Sequence, residues 1–291
     1  MHFTVKYLYR SAGMGDVLWT EPLIKELAKG NKKVVLFTKF KELFENYPLK
    51  NVHIKKIPPG WLRAMLKFVN YISGGQVYYK LDGIYEARPK MHMLHAYQQY
   101  FSLPQTDDYP VIYLNEKERS PISDLPKNYV VLHLDANVPY NYRKVYGVNW
   151  NQVVDYLHSK GFPVVVTGNS PEPLSGVIKY KGSIRQLIQL IFHSRFFIGV
   201  DSGPSHIAAS LKKPSLIFFG SVNPVFRHFP ALFKGYFLQQ PCEFAGCYHE
   251  VISGRGQSCR LVGDSGIPKC CLQTSWNVKK YIDLLFENYL Y

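Results

Sequence analysis

Short runs of β-branched and aromatic residues alternate with segments of helical periodicity, and this alternation occurs twice along the chain. Such a pattern leaves little choice of architecture: strands separated by helices of this length require right-handed crossovers and parallel sheets. In the first half, a strand at Phe3–Tyr9 leads through a glycine-bearing turn into a helix at about Asp16–Lys29. A strand at Val34–Thr38 follows, then an aromatic region from Trp61 to Phe101 with a helix at Pro89–Phe101. Charges, Ser and spaced prolines mark Glu116–Lys127 as a linker. The second half reads as strands at Tyr129–Leu134, Val164–Thr167, Phe196–Val200 and Ser215–Phe219, with helices at about Trp150–Lys160, Ile184–His193 and Pro204–Leu211. A last helix is expected at Ser275–Tyr289. With 291 residues, two domains are expected, the first over residues 1–122 and the second over 123–274.

Lys and Arg number 35 against 21 Asp and Glu, a formal charge of +14. That balance favours an anionic partner: a sugar nucleotide, a phospholipid surface or a nucleic acid. Hydrophobic residues at 46% and charged residues at 19% exclude a disordered chain. The first residues lack the basic and apolar blocks of a signal peptide, and no window approaches 18 uninterrupted apolar residues. The expected location is cytoplasmic, with no transmembrane segment and with peripheral contact at the inner face of a membrane compatible with the charge.

Two segments carry chemistry. Gly13-Met14-Gly15-Asp16 sits where a strand ends and a helix begins, the place where open α/β sheets bind ligands. Asp16 could cap the helix, or its carboxylate could take a proton from an attacking hydroxyl. Gly199-Val200-Asp201-Ser202-Gly203-Pro204-Ser205-His206 again runs from strand to helix, with Gly203 expected at the cap and Pro204 at the first helical position, where its missing N–H costs nothing. The N–H groups of that turn would favour a phosphate, with His206 near it; the alternative is an ordinary capped helix with a half-buried histidine.

Met14-Gly15-Asp16-Val17-Leu18, with Thr20 and Pro22, resembles the N-terminal signature of the heptosyltransferases of glycosyltransferase family nine, and Ile198–Ala209 resembles their donor motif. Smaller matches keep the same order: Arg143-Lys144 before Trp150, Thr167-Gly168 followed by Glu172, and Phe219-Gly220 followed by Asn223-Pro224. The resemblance implies the GT-B fold, with two Rossmann-like domains facing each other across a cleft and a final helix, 275–291, crossing back to the first. It implies an acceptor-binding first domain and a second that binds a nucleotide-diphosphate sugar. It further implies inverting transfer of a heptose or hexose without a divalent ion, so no cofactor is required for the chemistry.

By the same resemblance Asp16 is similar to the catalytic base and Lys144 to the lysine at the donor phosphates. Glu172 resembles the carboxylate on the donor ribose, while Gly15, Arg143, Gly168, Asp201, Ser202, Gly203 and His206 complete the donor set. The expected acceptor is an anionic or lipid-linked glycan of the lipopolysaccharide or another envelope type. The region facing it is here rich in Lys55, Lys56, Arg63, Lys67, Tyr71, Tyr78, Tyr79 and Lys80, which could stack on a sugar or base and bind phosphate. The plainer reading is that Trp61–Ile72 is an amphipathic helix with its apolar side packed inward. Transfer to modified DNA bases, or nucleic-acid binding without catalysis, is the competing class. Tyr85-Glu86-Ala87-Arg88-Pro89-Lys90-Met91-His92 also resembles a stretch of some family members, without a role.

All five cysteines fall between Cys242 and Cys271. Cys242, Cys247, Cys259 and Cys270 or Cys271 could hold a structural zinc. A disulfide and free or half-buried thiols are the alternatives.

Overall fold

The computed structural model describes residues 5–11, 13–88, 90–136, 143–244, 246–248, 259 and 266–289. The chain divides into two compact units, Met1–Asn115 and Glu116–Tyr291.

The first unit is a parallel four-stranded sheet. β1 (Val5–Tyr9) is followed by α1 (Met14–Leu18), α2 (Glu21–Leu27), β2 (Lys33–Phe37), β3 (Val52–Lys55), α3 (Gly60–Ile72), β4 (Tyr78–Lys80) and α4 (Met93–Tyr100), and the strand order is β3-β2-β1-β4. In the register, Tyr9 of β1 lies between Phe37 and Lys80. The single helix expected at Asp16–Lys29 is two helices. Pro22 sits in the first turn of α2, where its missing N–H interrupts a continuous ladder. The missing N–H leaves the Leu18 carbonyl without its helical donor, and one residue earlier the Val17 carbonyl closes the turn by accepting both the N–H and the hydroxyl of Thr20, at 3.0 and 2.7 Å.

α3 is amphipathic, but its apolar side does not pack inward as expected. Only Leu66 on it is buried, while Trp61, Met65, Phe68 and Ile72 are exposed. Polar chemistry faces the sheet: Asn70 Oδ1 accepts the N–H groups of Val77 and Tyr78 at 3.0 and 2.8 Å and so fixes the start of β4. The helix adds Leu62 and Leu66 to a small core of Tyr9, Val35, Phe37 and Tyr78.

The second unit opens with α5 (Glu116–Arg119), inside the segment expected to be a linker. Its Glu118 is buried and accepts Arg185 Nε at 2.6 Å, which ties the segment to the second unit. β5 (Val130–His133), α6 (Trp150–Ser159), β6 (Val164–Thr167), β7 (Ile178–Tyr180), α7 (Ile184–His193), β8 (Phe196–Val200), α8 (Gly203–Ser210), β9 (Ser215–Phe218), β10 (Gly235–Leu238) and α9 (Ser275–Tyr289) follow. All six strands are parallel, in the order β10-β9-β8-β5-β6-β7. The chain moves outward from β5 in both directions, so the switch point of the sheet lies between β5 and β8, where doubly wound sheets bind ligands. Val278, Ile282, Leu285 and Phe286 of α9 recur at helical spacing and are buried with Trp150, Leu157 and Phe196 in this unit's main core. No helix among the described residues is long and apolar enough to cross a membrane.

Candidate active site

At the C-terminal end of β1, Arg10 is almost fully buried and surrounded by carboxylates. Its Nη2 donates to Asp16 Oδ2 at 2.8 Å and to Glu86 Oε1 at 3.0 Å, while Nη1 lies 3.4 Å from Asp82 Oδ1 and donates to the Leu81 carbonyl at 3.3 Å. Burial alone would lower the Arg10 pKa, but Tyr97, Asp16, Tyr85 and Glu86 more than offset it and raise it further. The guanidinium is therefore a fixed positive charge. The Tyr85 hydroxyl also donates to Asp16 Oδ2, at 3.3 Å. The two donors thus share one oxygen of Asp16. No described residue is hydrogen-bonded to the other, Oδ1, and the side chain keeps 23% of its exposure.

This is not a helix cap: the N-terminus of α1 has no side-chain cap, and the Asp16 carboxylate turns toward Arg10. Gly13 makes that orientation accessible. Its φ is +73°, a conformation glycine adopts without strain, and a Cβ there would fall 2.3 Å from Asp16 Oδ2. Asp82 is held in turn by the Ser11 hydroxyl and N–H, at 3.0 and 3.1 Å, and Glu86 by the Gly83 N–H at 2.9 Å. Tyr85 and Glu86, without a role in the sequence, are thus partners of Arg10 and Asp16. Gly15 is buried inside α1.

In the second unit Asp201 follows β8 and is buried. Arg143 Nη2 donates to its Oδ2 at 2.9 Å and also to its carbonyl, and His206 Nε2 lies 3.7 Å from Oδ1. Burial would raise the Asp201 pKa, but Arg143, His206 and Arg227 outweigh it, and the carboxyl sits below its ordinary 3.8. His206 stacks on the buried His228, with ring centroids 4.7 Å apart. Arg227 and His228 escaped the sequence reading because only the chain fold brings them beside Asp201.

The cap of α8 is Ser202 and not Gly203, which is the first helical residue with Pro204 second, and the start of the helix offers fewer donors than expected. Pro204 has no N–H, the N–H groups of Ser205 and His206 reach the Ser202 carbonyl at 3.1 and 3.4 Å, and the Ser202 N–H reaches Ser205 Oγ at 3.2 Å. Among the described residues this leaves the Gly203 N–H for a ligand. The Ser202 hydroxyl is turned to the Val200 carbonyl at 3.1 Å.

Beside this cluster, at the ends of β5 and β6, is a cavity of about 340 Å³ lined by Asp135, Lys144, Tyr146, Trp150, Asn169 and Ser170 among others. Lys144 therefore faces open space while its neighbour Arg143 is engaged with Asp201. Glu172 Oε1 accepts the Trp150 N–H at 2.6 Å, at the first turn of α6. Gly168, with φ +76°, packs over the His133 ring, where a Cβ would come within 2.8 Å.

Cys242, Cys247 and Cys259 are partly buried, and Cys270 and Cys271 are buried with their Sγ atoms 4.0 Å apart; all five are free thiols. Burial, with Cys270, Cys259 and Cys242 nearby, pushes the Cys247 thiol up to about 11. The thiols are gathered, but among the described residues no three His, Cys, Asp or Glu side chains are arranged to hold a metal ion. The proposed zinc set does not have ligand geometry here, and no disulfide links the described cysteines.

Two parallel Rossmann-type sheets in one chain, each with a glycine-bearing strand-to-helix turn at its ligand edge, define a GT-B protein. The sequence model of glycosyltransferase family 9 (heptosyltransferase) matches residues 89–234, half of the chain, and the chain belongs to that family. It is 31% identical over 119 residues to lipopolysaccharide heptosyltransferase 3 of Escherichia coli, covering 34% of this chain and 33% of that protein. The corresponding protein of strain K12 is 34% identical over 93 residues, covering 26% and 27%. The matched portion thus spans about a third or less of these curated relatives. Among solved structures, the iron-containing dodecameric glycosyltransferase TibC from enterotoxigenic E. coli H10407 superposes with a TM-score of 0.74 at 16% identity, over 97% of this chain and 76% of that one. The E. coli ADP-heptose lipopolysaccharide heptosyltransferase II does so with a TM-score of 0.65 at 14% identity, over 98% and 100%. At these identities the likeness concerns the fold.

Proposed function

We propose that this protein is an inverting glycosyltransferase, independent of a divalent ion for its chemistry, that moves a heptose or hexose from a nucleotide-diphosphate sugar to a hydroxyl of a lipopolysaccharide-type or other envelope glycan. The observation that carries the reading is the state of Asp16: one carboxylate oxygen anchored by Arg10 and Tyr85, the other open. In the proposed step the acceptor oxygen attacks the anomeric carbon of the donor and gives its proton to Asp16 Oδ1. The bond from that carbon to the diphosphate breaks on the opposite side, and the electron pair leaves with the nucleoside diphosphate.

The charge growing on the diphosphate is met by Lys144 at the cavity and by the Gly203 N–H, with Arg143 and His206 held beside them by Asp201. Fixed cationic and N–H groups supply there what a metal supplies in other transferases. A nucleotide in the cavity would meet Trp150, Asn169 and Ser170. Glu172 serves this pocket by holding the start of α6 and is proposed to reach the ribose through its second oxygen. A related fold has been solved with ADP-D-beta-D-heptose bound, which supports a nucleotide-activated heptose as the donor to try first. None of these relatives favours a nucleic-acid substrate.

A structural zinc on Cys242, Cys247, Cys259 and Cys270 would require these neighbouring thiols to close further on the ion, and would have no part in the transfer.

Donor class is tested by thermal shift with nucleotide sugars. A ligand at 100 times its Kd stabilises by about 2.7 kcal/mol. ADP-activated sugars should raise Tm in the wild type and less in Lys144→Ala; no shift with any nucleotide sugar would overturn the donor assignment.

A further inference from the structure

α3 shows solvent an apolar stripe that its own domain does not use. Trp61, Met65, Phe68 and Ile72 are spaced by four, three and four residues and so fall on one line along the helix. Trp61 is 70% exposed and Phe68 and Ile72 are each 65% exposed. The inward side is already occupied by Leu62, Leu66 and Asn70, so no rotation of the helix could bury the stripe without freeing the N–H groups that Asn70 holds. A contiguous exposed apolar surface of this kind marks an interaction site.

The charge around it selects the partner. From Asn46 to Leu81 the chain has Lys50, Lys55, Lys56, Arg63, Lys67 and Lys80 and no Asp or Glu. All of these cations except Arg63, which is half-buried, are exposed. An aromatic and aliphatic stripe on a helix with a strong apolar–polar division and cationic surroundings is the pattern of helices that lie in the plane of a bilayer interface. At 13 residues α3 rises roughly 20 Å, too short to cross a hydrocarbon core of about 30 Å. We propose that the exposed face of α3 docks this protein onto an anionic lipid bilayer, with Trp61, Met65, Phe68 and Ile72 entering the headgroup boundary and Lys55, Lys56 and Lys67 facing the lipid phosphates. Docking of this kind involves no donor and no transfer step, so it is separable from the transferase activity.

The test is co-sedimentation of the whole chain with vesicles of phosphatidylcholine containing an equal share of phosphatidylglycerol, compared with phosphatidylcholine alone. Binding is expected to the anionic vesicles, to weaken at high salt, and to shift the Trp61 fluorescence to the blue. Phe68→Ser with Ile72→Ser should weaken it by about tenfold or more, as should Lys55→Gln with Lys56→Gln and Lys67→Gln. Because these side chains are exposed, Tm and nucleoside-diphosphate affinity should be kept, which separates lost docking from lost folding. Absence of wild-type binding to anionic vesicles, or full binding by the Phe68 and Ile72 variant, would overturn the proposal. So would a change of sedimenting mass in that variant with vesicle binding intact, which would make the stripe a contact between copies of the chain.

Discussion

Arg10 holds Asp16 by one oxygen only: Nη2 meets Oδ2 at 2.8 Å, and the same nitrogen gives its other hydrogen to Glu86. Asp16 is thus fixed in place without being closed off. A lysine at position 10 keeps the charge but cannot fork to several carboxylates. Arg10→Lys should therefore lower kcat by about tenfold to a hundredfold, the cost of a small misplacement of a reacting group, with nucleoside-diphosphate affinity unchanged. Arg10→Ala removes a buried guanidinium and leaves three half-buried carboxylates without their cation, and should cost about 1–3 kcal/mol in urea denaturation. Wild-type kcat in Arg10→Lys would remove the positioning role.

Gly13→Ala tests the same geometry from the backbone. The added methyl would stand 2.3 Å from Asp16 Oδ2 at a φ of +73°. Turnover should fall at least as far as in Arg10→Lys, with a stability loss of about 1 kcal/mol or more from the strained backbone. Donor affinity, measured by calorimetry, should not change.

Asp201 sets a pH limit on the second domain. Its carboxyl titrates below the ordinary 3.8, so the folded state binds this proton less readily than the unfolded chain. The stability it contributes is complete above about pH 4–5 and is lost as the pH falls through the folded value. Asp201→Asn should be less stable than the wild type at pH 7, by about 3–5 kcal/mol for a broken buried pair. The gap should narrow in acid, and a gap independent of pH between 7 and 2 would show that the charge is not what stabilises this turn.

The cysteine segment makes a separate claim. If zinc is held by Cys242, Cys247, Cys259 and Cys270, freshly purified, reduced protein should contain about one equivalent, and its removal should lower Tm while sparing turnover below the new Tm. Elemental analysis showing no metal would end the idea.

The two-sheet plan was legible in the sequence because the buried strands Val130–His133 and Phe196–Val200 are nearly continuous apolar runs between helical segments. β3, β4, β7 and β10 were not, because three or four residues at or near a sheet edge carry too short a pattern to separate from loops. Asp16 could be singled out from its glycine turn, but Arg10 could not: its partners Asp82 and Glu86 lie more than 70 residues away. Periodicity revealed that α3 has two faces. It could not reveal which face the sheet covers, since that depends on Asn70 anchoring β4.

The central claim, that Asp16 is the base, is tested most directly by Asp16→Asn, assayed for turnover with a verified acceptor and for donor binding by calorimetry. The amide can turn its oxygen to Arg10 and keep the local packing, but its NH2 then occupies the open position and cannot take a proton. Turnover should fall by roughly 10²–10⁴ while donor affinity stays within about twofold, because the proposed donor groups belong to the other domain. Near-normal turnover in Asp16→Asn would contradict the account and leave the Arg10 cluster a purely structural feature of the first domain.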